Sequence, residues 1–172
     1  MLAVAVVALL LVGSGSAVAD AATEGTGNQP DAMVRRTGIV AFTGNNRYNS
    51  NGTNQTLSRT APPGVMVSYG FRMQNDGDTV DFLTPSGCAG GPRFLVRWFL
   101  PQPGDDIDIT SSIVAGALSV GRNPGQSEDY RVEVTVRNAA PLGAALDCRF
   151  RVTTGSAPNQ LRDVARLVVR RG

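Results

Sequence analysis

Residues 130–137 read Tyr-Arg-Val-Glu-Val-Thr-Val-Arg, and this stretch limits the fold more than any other. Tyr130, Val132, Val134 and Val136 are apolar, while Arg131, Glu133, Thr135 and Arg137 between them are polar. A strand sends successive side chains to opposite faces, so a period of two gives one dry face and one wet face. Four aromatic or β-branched residues on one face predict a half-buried antiparallel strand. The same alternation recurs along the chain. In 65–74, Val65, Val67, Tyr69, Phe71 and Met73 oppose Met66, Ser68, Gly70, Arg72 and Gln74. Phe94, Val96 and Trp98 are expected inward, as are Leu146, Cys148, Phe150 and Val152, and then Ala165, Leu167 and Val169.

Further short strands are expected at 37–42, 55–59, 79–84 and 107–110, with a looser strand-like segment at 113–120. Turns fall at Pro62-Pro63-Gly64, at Asn75-Asp76-Gly77-Asp78 and at Pro124-Gly125, where Pro fixes φ and Gly or Asn admits positive φ. No long stretch holds a helical period. Turn signals this frequent predict an all-β fold, an Ig-like antiparallel β-sandwich of about seven to nine strands with Greek-key connections. A sandwich is favoured over a closed barrel because two packed faces bury half-apolar strands of unequal length. Pro63-Gly64 precedes Tyr69 by the interval at which Pro124-Gly125 precedes Tyr130, which suggests two comparable corners.

The first twelve residues are apolar, and Ala17-Val18-Ala19 fits an A-x-A cleavage site before Asp20. Residues 1–19 are therefore expected to be a secretory signal peptide, residues 20–36 a flexible leader and residues 37–172 the folded domain. The apolar run is shorter than the roughly 20 residues that cross a bilayer, so no membrane span is expected after cleavage; the rival reading is an uncleaved N-terminal anchor. The expected location is secreted, extracellular or at the cell surface. All sixteen basic residues are Arg, a usage that, with abundant Ala, Val and Gly, suggests a GC-rich bacterial genome.

The residue types that are missing narrow the chemistry. Without His, the commonest general base and zinc ligand is absent. Without Lys, neither a Schiff base nor a P-loop lysine is available. A net charge of +2 gives no bulk signal for nucleic acid. No catalytic residue, cofactor or metal is expected. Only three Glu occur, and Glu133 falls mid-strand on the wet face. Asp76, Asp78 and Asp81 form one acidic group, and Asp105, Asp106 and Asp108 another. Both could be imagined around calcium, but turn chemistry accounts for them. Asn51 and Asn54 open N-glycosylation sequons that read as a polar loop. Cys88 and Cys148 are expected to pair as a structural disulfide, since an exported chain with two cysteines most simply joins them. Closing a loop of that length stabilises by roughly 4 kcal/mol in the chain-entropy model. Arg93, Arg97, Arg131, Arg137, Arg149 and Arg151 all fall at outward positions. Were their strands neighbours in one sheet, they would form a positive face suited to an acidic glycan or cell-wall polymer; the plainer reading is a solvated face balanced by Glu133, Asp147 and others.

The segment Pro63-Gly64 … Tyr69-Gly-Phe71-Arg-Met73-Gln-Asn75-Asp-Gly77-Asp78 … Asp81-Phe82 resembles bacterial Ig-like modules of the CARDB kind. So does Pro124-Gly125-Gln-Ser127-Glu-Asp-Tyr130-Arg-Val-Glu-Val-Thr-Val136. The resemblance covers residues 37–171 and implies an Ig- or fibronectin-like sandwich on secreted or surface proteins. The function expected is non-enzymatic, an extracellular interaction with a protein or a cell-surface glycan. The alternatives are self-assembly of the chain with itself and a carbohydrate-binding accessory role. The paired cysteines are not a regular feature of such modules.

Overall fold

The computed structural model describes residues 27–155 and 161–172. The expected signal peptide and the start of the expected leader lie outside the described residues. Among these residues the strands are β1 (Pro30–Arg36), β2 (Thr56–Ala61), β3 (Met66–Asn75), β4 (Asp81–Ser86), β5 (Phe94–Leu100) and β6 (Ile107–Asp108), followed after a helical turn by β7 (Val120–Arg122), β8 (Ser127–Val136), β9 (Ala145–Thr154) and β10 (Arg162–Arg171). The helical turn is α1 (Thr110–Ala115).

Two five-stranded sheets run β1-β3-β8-β5-β6 and β2-β10-β9-β4-β7. Antiparallel pairing prevails, but β2 runs parallel to β10. The first edge is thus split, β1 going to one sheet and β2 to the other. The strand order reproduces the A-B-E-D and C-F-G sheets of the immunoglobulin fold, so the chain is an Ig-like β-sandwich. The alternation holds where it was expected. Tyr130, Val132, Val134 and Val136 are buried, as are Val67, Tyr69, Phe71 and Met73 on the paired strand. Val65, just ahead of β3, is 38% exposed.

The two Pro-Gly corners are related ends of the β3–β8 ladder. Val65 N–H donates to Pro62 O and Gln126 N–H to Asn123 O, so each corner is a β-turn with Pro second and Gly third. Gly64 and Gly125 sit at φ 77° and 73°. Gly64 N–H then donates to Val136 O, whose own N–H donates to Val65 O; Gly125 N–H donates to Asn75 O, whose N–H donates to Gln126 O. Two residues thus face one at each end, a glycine bulge closing both ends of the central pair. The repeated Pro-Gly spacing is this symmetry written in the sequence.

The core is aromatic at its centre. Phe71 lies 5.3 Å from Trp98 and 5.0 Å from Phe150, and Tyr130 lies 5.6 Å from Phe150. Trp98 Nε1 donates to Cys88 O at 3.1 Å, and Cys88 is bonded to Cys148 with Cα atoms 5.0 Å apart. The disulfide therefore ties the loop after β4 to β9 beside the tryptophan. Gly87 is what lets that loop in. A Cβ there would lie 2.4 Å from Trp98 Cζ2 and 2.8 Å from Ile113 Cγ2, both side chains fully buried. Gly87→Ala is expected to cost about 1–3 kcal/mol through overpacking, read as a lower urea midpoint. An unchanged midpoint would show that the indole does not close over residue 87.

Three expectations are corrected. Residues 30–36, assigned to the flexible leader, form β1, and Asp31, Ala32, Met33 and Val34 are all buried. The chain doubles back after β1, Thr43 exchanges backbone bonds with Val34, and Phe42 lies 4.4 Å from the guanidinium carbons of both Arg35 and Arg72. Burial on both faces removes the alternation that marks a strand. Residues 37–42, expected as a strand, are instead a loop with Gly38 at φ 84°, Ile39 53% exposed and Val40 88% exposed. The segment 113–120 begins inside α1, which ends on Gly116 in the left-handed conformation. One helical turn is too short to show a helical period in sequence.

Candidate functional site

The acidic groups do not converge on a cation. Asp76 accepts from the Tyr48 hydroxyl at 2.9 Å, and Asp78 from Gly27 N–H at 2.9 Å. Asp81 is buried at the start of β4. Asp106 takes Arg131 at 2.7 Å, and Asp108 takes Arg97 at 2.8 Å. The Asp108 carboxyl is pushed down to about 2 by its bonds from Thr110 and then from Arg97. Among the described residues no set of three or more His, Cys, Asp or Glu is placed to hold a metal ion.

A different carboxylate group is buried at one corner, where β1, the loop 44–55 and β10 meet. Asp163 accepts from Ala32 N–H at 2.8 Å, Asn49 N–H at 2.7 Å and Gln55 Nε2 at 2.9 Å. Asp31 accepts from Asn46 N–H at 2.9 Å, while its other oxygen is buried with no donor among the described residues. Burial pushes both carboxyls up, Asp31 to about 8, and the nearby Asp76 and Asp163 charges add to the shift of Asp31. Three donors favour the anion at Asp163, so Asp31 is the one that keeps its proton. The corner also blocks the β1 edge. Pro30 has no N–H, Ala32 N–H is taken by Asp163, and Val34 is paired with Thr43. Strand exchange through residues 20–36 would have to dismantle this seal.

The outer faces of the two sheets differ in charge. On the first, Arg35 and Arg72 close on Asp129 at 3.3 and 2.5 Å, and Arg97 and Arg131 reach Asp108 and Asp106, with Glu133 also bonded to Arg131. Phe99 lies beneath Arg97 and Arg131, 5.1 and 4.2 Å from ring centre to guanidinium carbon. Four arginines meet four carboxylates on this face, and Arg93 and Arg137, just beyond its end, carry no ion pair among the described residues. The face carries a cleft of about 390 Å³ between the 37–40 loop and β3, lined by Gly70, Arg35 and Arg131 among others. The cations of that cleft are already matched.

The second sheet is unbalanced. The buried side chains of β9 are Cys148, Phe150 and Val152, and those of β10 include Ala165, Leu167 and Val169. Arg149 and Arg151 on β9, and Arg162, Arg166 and Arg170 on β10, therefore point to the outer face. Arg149 sits directly across from Arg166, and Arg151 across from Val164. The single carboxylate among them is Asp147, which holds Arg166 at 2.6 Å and Arg149 at 3.4 Å. The guanidinium of Arg166, and then that of Arg149, keep the Asp147 carboxyl below its ordinary range. Arg151, Arg162 and Arg170 have no carboxylate partner among the described residues, and the Arg151 Nε–H is buried without an acceptor.

The positive face, conditional on those strands being neighbours in one sheet, does not form from the six arginines named, and Glu133 and Asp147 pair with two of them. The six arginines read from sequence do not share a sheet: Arg97 and Arg131 go to the first sheet, Arg93 and Arg137 lie just beyond the ends of β5 and β8, and Arg149 and Arg151 go to the second sheet. The missing members were Arg162, Arg166 and Arg170. They occupy every second outward position of β10, a spacing of four visible in the sequence once the inner face of that strand is set.

No family model matches the chain, and no curated protein matches it. Among solved structures, similar folds include a family 123 glycoside hydrolase from Clostridium perfringens, with 11% identity and a TM-score of 0.48 over 82% of this chain. The chain spans only 27% of that enzyme's length. The PapD-like domain 7 of human CEP192 matches at 10% identity and a TM-score of 0.42, over 82% of this chain and 84% of that one. The CooA pilin subunit from enterotoxigenic Escherichia coli matches at 7% identity and a TM-score of 0.35, over 83% and 99%. These are likenesses of the β-sandwich architecture alone.

Proposed function

We propose that this chain is an exported, non-catalytic Ig-like module that acts by binding a polyanionic extracellular partner through the outer face of β9 and β10. The observation that carries the reading is the contrast between the two faces: on one, four arginines of the strands are matched by four carboxylates with Arg93 and Arg137 unpaired at its end, and on the other five arginines share one carboxylate. Unmatched cations on a rigid sheet hold a local positive potential that matched ones lack. The disulfide fits an oxidising compartment. The likeness of the Pro-Gly corners to CARDB-type modules fits a secreted or surface module, and the absence of His and Lys removes the commonest general base and any Schiff-base chemistry.

Two double variants of equal net charge test the assignment. Arg149→Gln/Arg162→Gln removes two charges from the proposed face, and Arg72→Gln/Arg97→Gln removes two from the matched one. The first is expected to elute from a carboxylate-bearing resin at clearly lower salt than the second. Equal shifts would mean that only net charge matters, and would overturn the face-specific reading.

A further inference from the structure

We propose that the polyanion bound by this face is a carboxylated polysaccharide, with its acid groups on the arginine band and one sugar ring flat on Phe82. The proposal rests on the reading above and adds the chemistry of the ligand. Phe82 stands on the outer face of β4 and is 56% exposed. It is opposite Gly121 of β7, and the space a Gly121 side chain would fill is 3.4–3.8 Å from the ring atoms. The ring thus rests on bare backbone and offers its other side to solvent. Every other phenylalanine that the described strands carry is packed in the core or beneath guanidinium groups.

Between Phe82 and the arginines the face is hydroxylic. Thr84 pairs with Thr153, which pairs in turn with Arg162, and Ser86 pairs with Arg151. Along β10, Arg162, Arg166 and Arg170 follow one another at steps of about 13 Å at the rise of an extended strand; on β9, Arg151 lies opposite the first interval, Arg149 beside Arg166, and Asp147 opposite the second interval. The face therefore offers an elongated band of guanidinium donors, uncharged hydroxyls beside it and one apolar plate at its end. Guanidinium matches the two oxygens of a carboxylate. The apolar C–H side of a pyranose suits an exposed ring, and its hydroxyls suit Thr and Ser. Nucleic acid is the less favoured polyanion, because the chain as a whole carries only +2 and the strand arginines of the other face are matched by carboxylates.

The test uses the oxidised protein with four probes: polygalacturonate, polyglutamate as a carboxylated polymer without sugar, neutral dextran and duplex DNA. Polygalacturonate is expected to bind tightest, more weakly as salt rises. Phe82→Ala should weaken polygalacturonate roughly tenfold or less and leave polyglutamate unchanged, while Phe82→Tyr keeps the binding. Arg162→Gln/Arg170→Gln should weaken both carboxylated polymers, by up to roughly fivefold per arginine. If polyglutamate binds as tightly as polygalacturonate and Phe82→Ala changes neither, the saccharide inference fails while the polyanion reading stands. Tighter binding to DNA than to polygalacturonate would also overturn the inference. Binding to none of the charged polymers would sink both. Unchanged thermal melts of the variants, all at exposed positions, show that a lost affinity is not lost folding.

Discussion

Asp163→Ala is expected to lower the unfolding free energy by about 4–6 kcal/mol, because an orphaned buried donor costs about 1–3 kcal/mol and this carboxylate serves three. Ala32 N–H and the Gln55 amide are buried where Asp163 receives them, and Asn49 N–H is partly so. These bonds join β1, the loop 44–55 and the start of β10, which pair with one another by few backbone bonds of their own. The carboxylate does the work that a continuous ladder does elsewhere in the sheets. Asp163→Asn should recover only part of the loss, since an amide nitrogen cannot accept any of the three donors. The measurement is chemical denaturation, with hydrogen exchange at Ala32 and Asn49 as a local readout. Exchange there should rise well before that of β3 and β8. A loss under 1 kcal/mol, with Ala32 still protected, would mean that β1 is held by its pairing with β3 alone. Because Arg162 is the next residue, the same variant is also expected to weaken polyanion binding modestly by loosening the end of the arginine band.

The parts of this fold that were legible in sequence are those where one face is dry and the other wet. β3, β5, β8 and β9 announce themselves because Val, Tyr, Phe and Trp at alternate positions have no other economical arrangement. β1 was hidden for the opposite reason. With Phe42 and Thr43 folded back against it, both of its sides are covered, and Pro-Asp-Ala-Met-Val shows no period. The neighbouring Gly-Ile-Val-Ala-Phe run has strong β-propensity yet lies in an exposed loop, since β1 already holds that edge of the sheet. Propensity describes a fit to a surface, and here another segment occupies it.

The candidate site was half legible. Arg149 and Arg151 could be placed outward from the alternation of β9 alone. Arg162, Arg166 and Arg170 follow the same rule, but Val164 and Val168 between them are apolar and buried, so β10 shows no clean alternation. Which strands are neighbours is a property of topology, so the division of the arginines between two faces could not be read along the chain. Phe82 is the sharper case. An aromatic beside a buried Asp81 in a short strand reads as core, and only the register against Gly121 shows the ring lying over backbone on the outside. The buried carboxyl corner was equally hidden. Asp31 and Asp163 look like ordinary surface residues until β1 and β10 are brought together.

That corner also sets the pH dependence. Asp31 is fully buried, and its folded pKa of about 8 stands far above the ordinary 3.8. For a group raised on folding, the contribution to stability is fully present below the unfolded value and is lost as pH rises through the folded one. Between about pH 4 and pH 8 the unfolded chain releases a proton that the folded chain retains, so stability falls as pH rises, by up to about 1.4 kcal/mol per unit for one such group. Asp163, also raised by burial, acts in the same direction, while Asp108 and Asp147, held low, lose their contribution only as pH falls below the ordinary carboxylate range. The domain is thus expected to be most stable near pH 4–5 and weaker by several kcal/mol at pH 8–9. Asp31→Asn should remove most of that slope. Its amide oxygen still accepts from Asn46 N–H, its nitrogen can donate toward Asp76, and no ionisation remains to be suppressed. The variant is expected to melt higher than the parent at pH 8 and close to it at pH 4. Thermal unfolding across pH 4–9 decides the matter: a parent profile flat from pH 5 to 9 would mean that Asp31 ionises in the folded state at little cost, and Asp31→Asn would then bring no gain at pH 8. In the expected case, mild acid tightens the corner that anchors the arginine band while leaving every guanidinium charged, so the face stays competent where carboxylated polymers begin to lose their own charge.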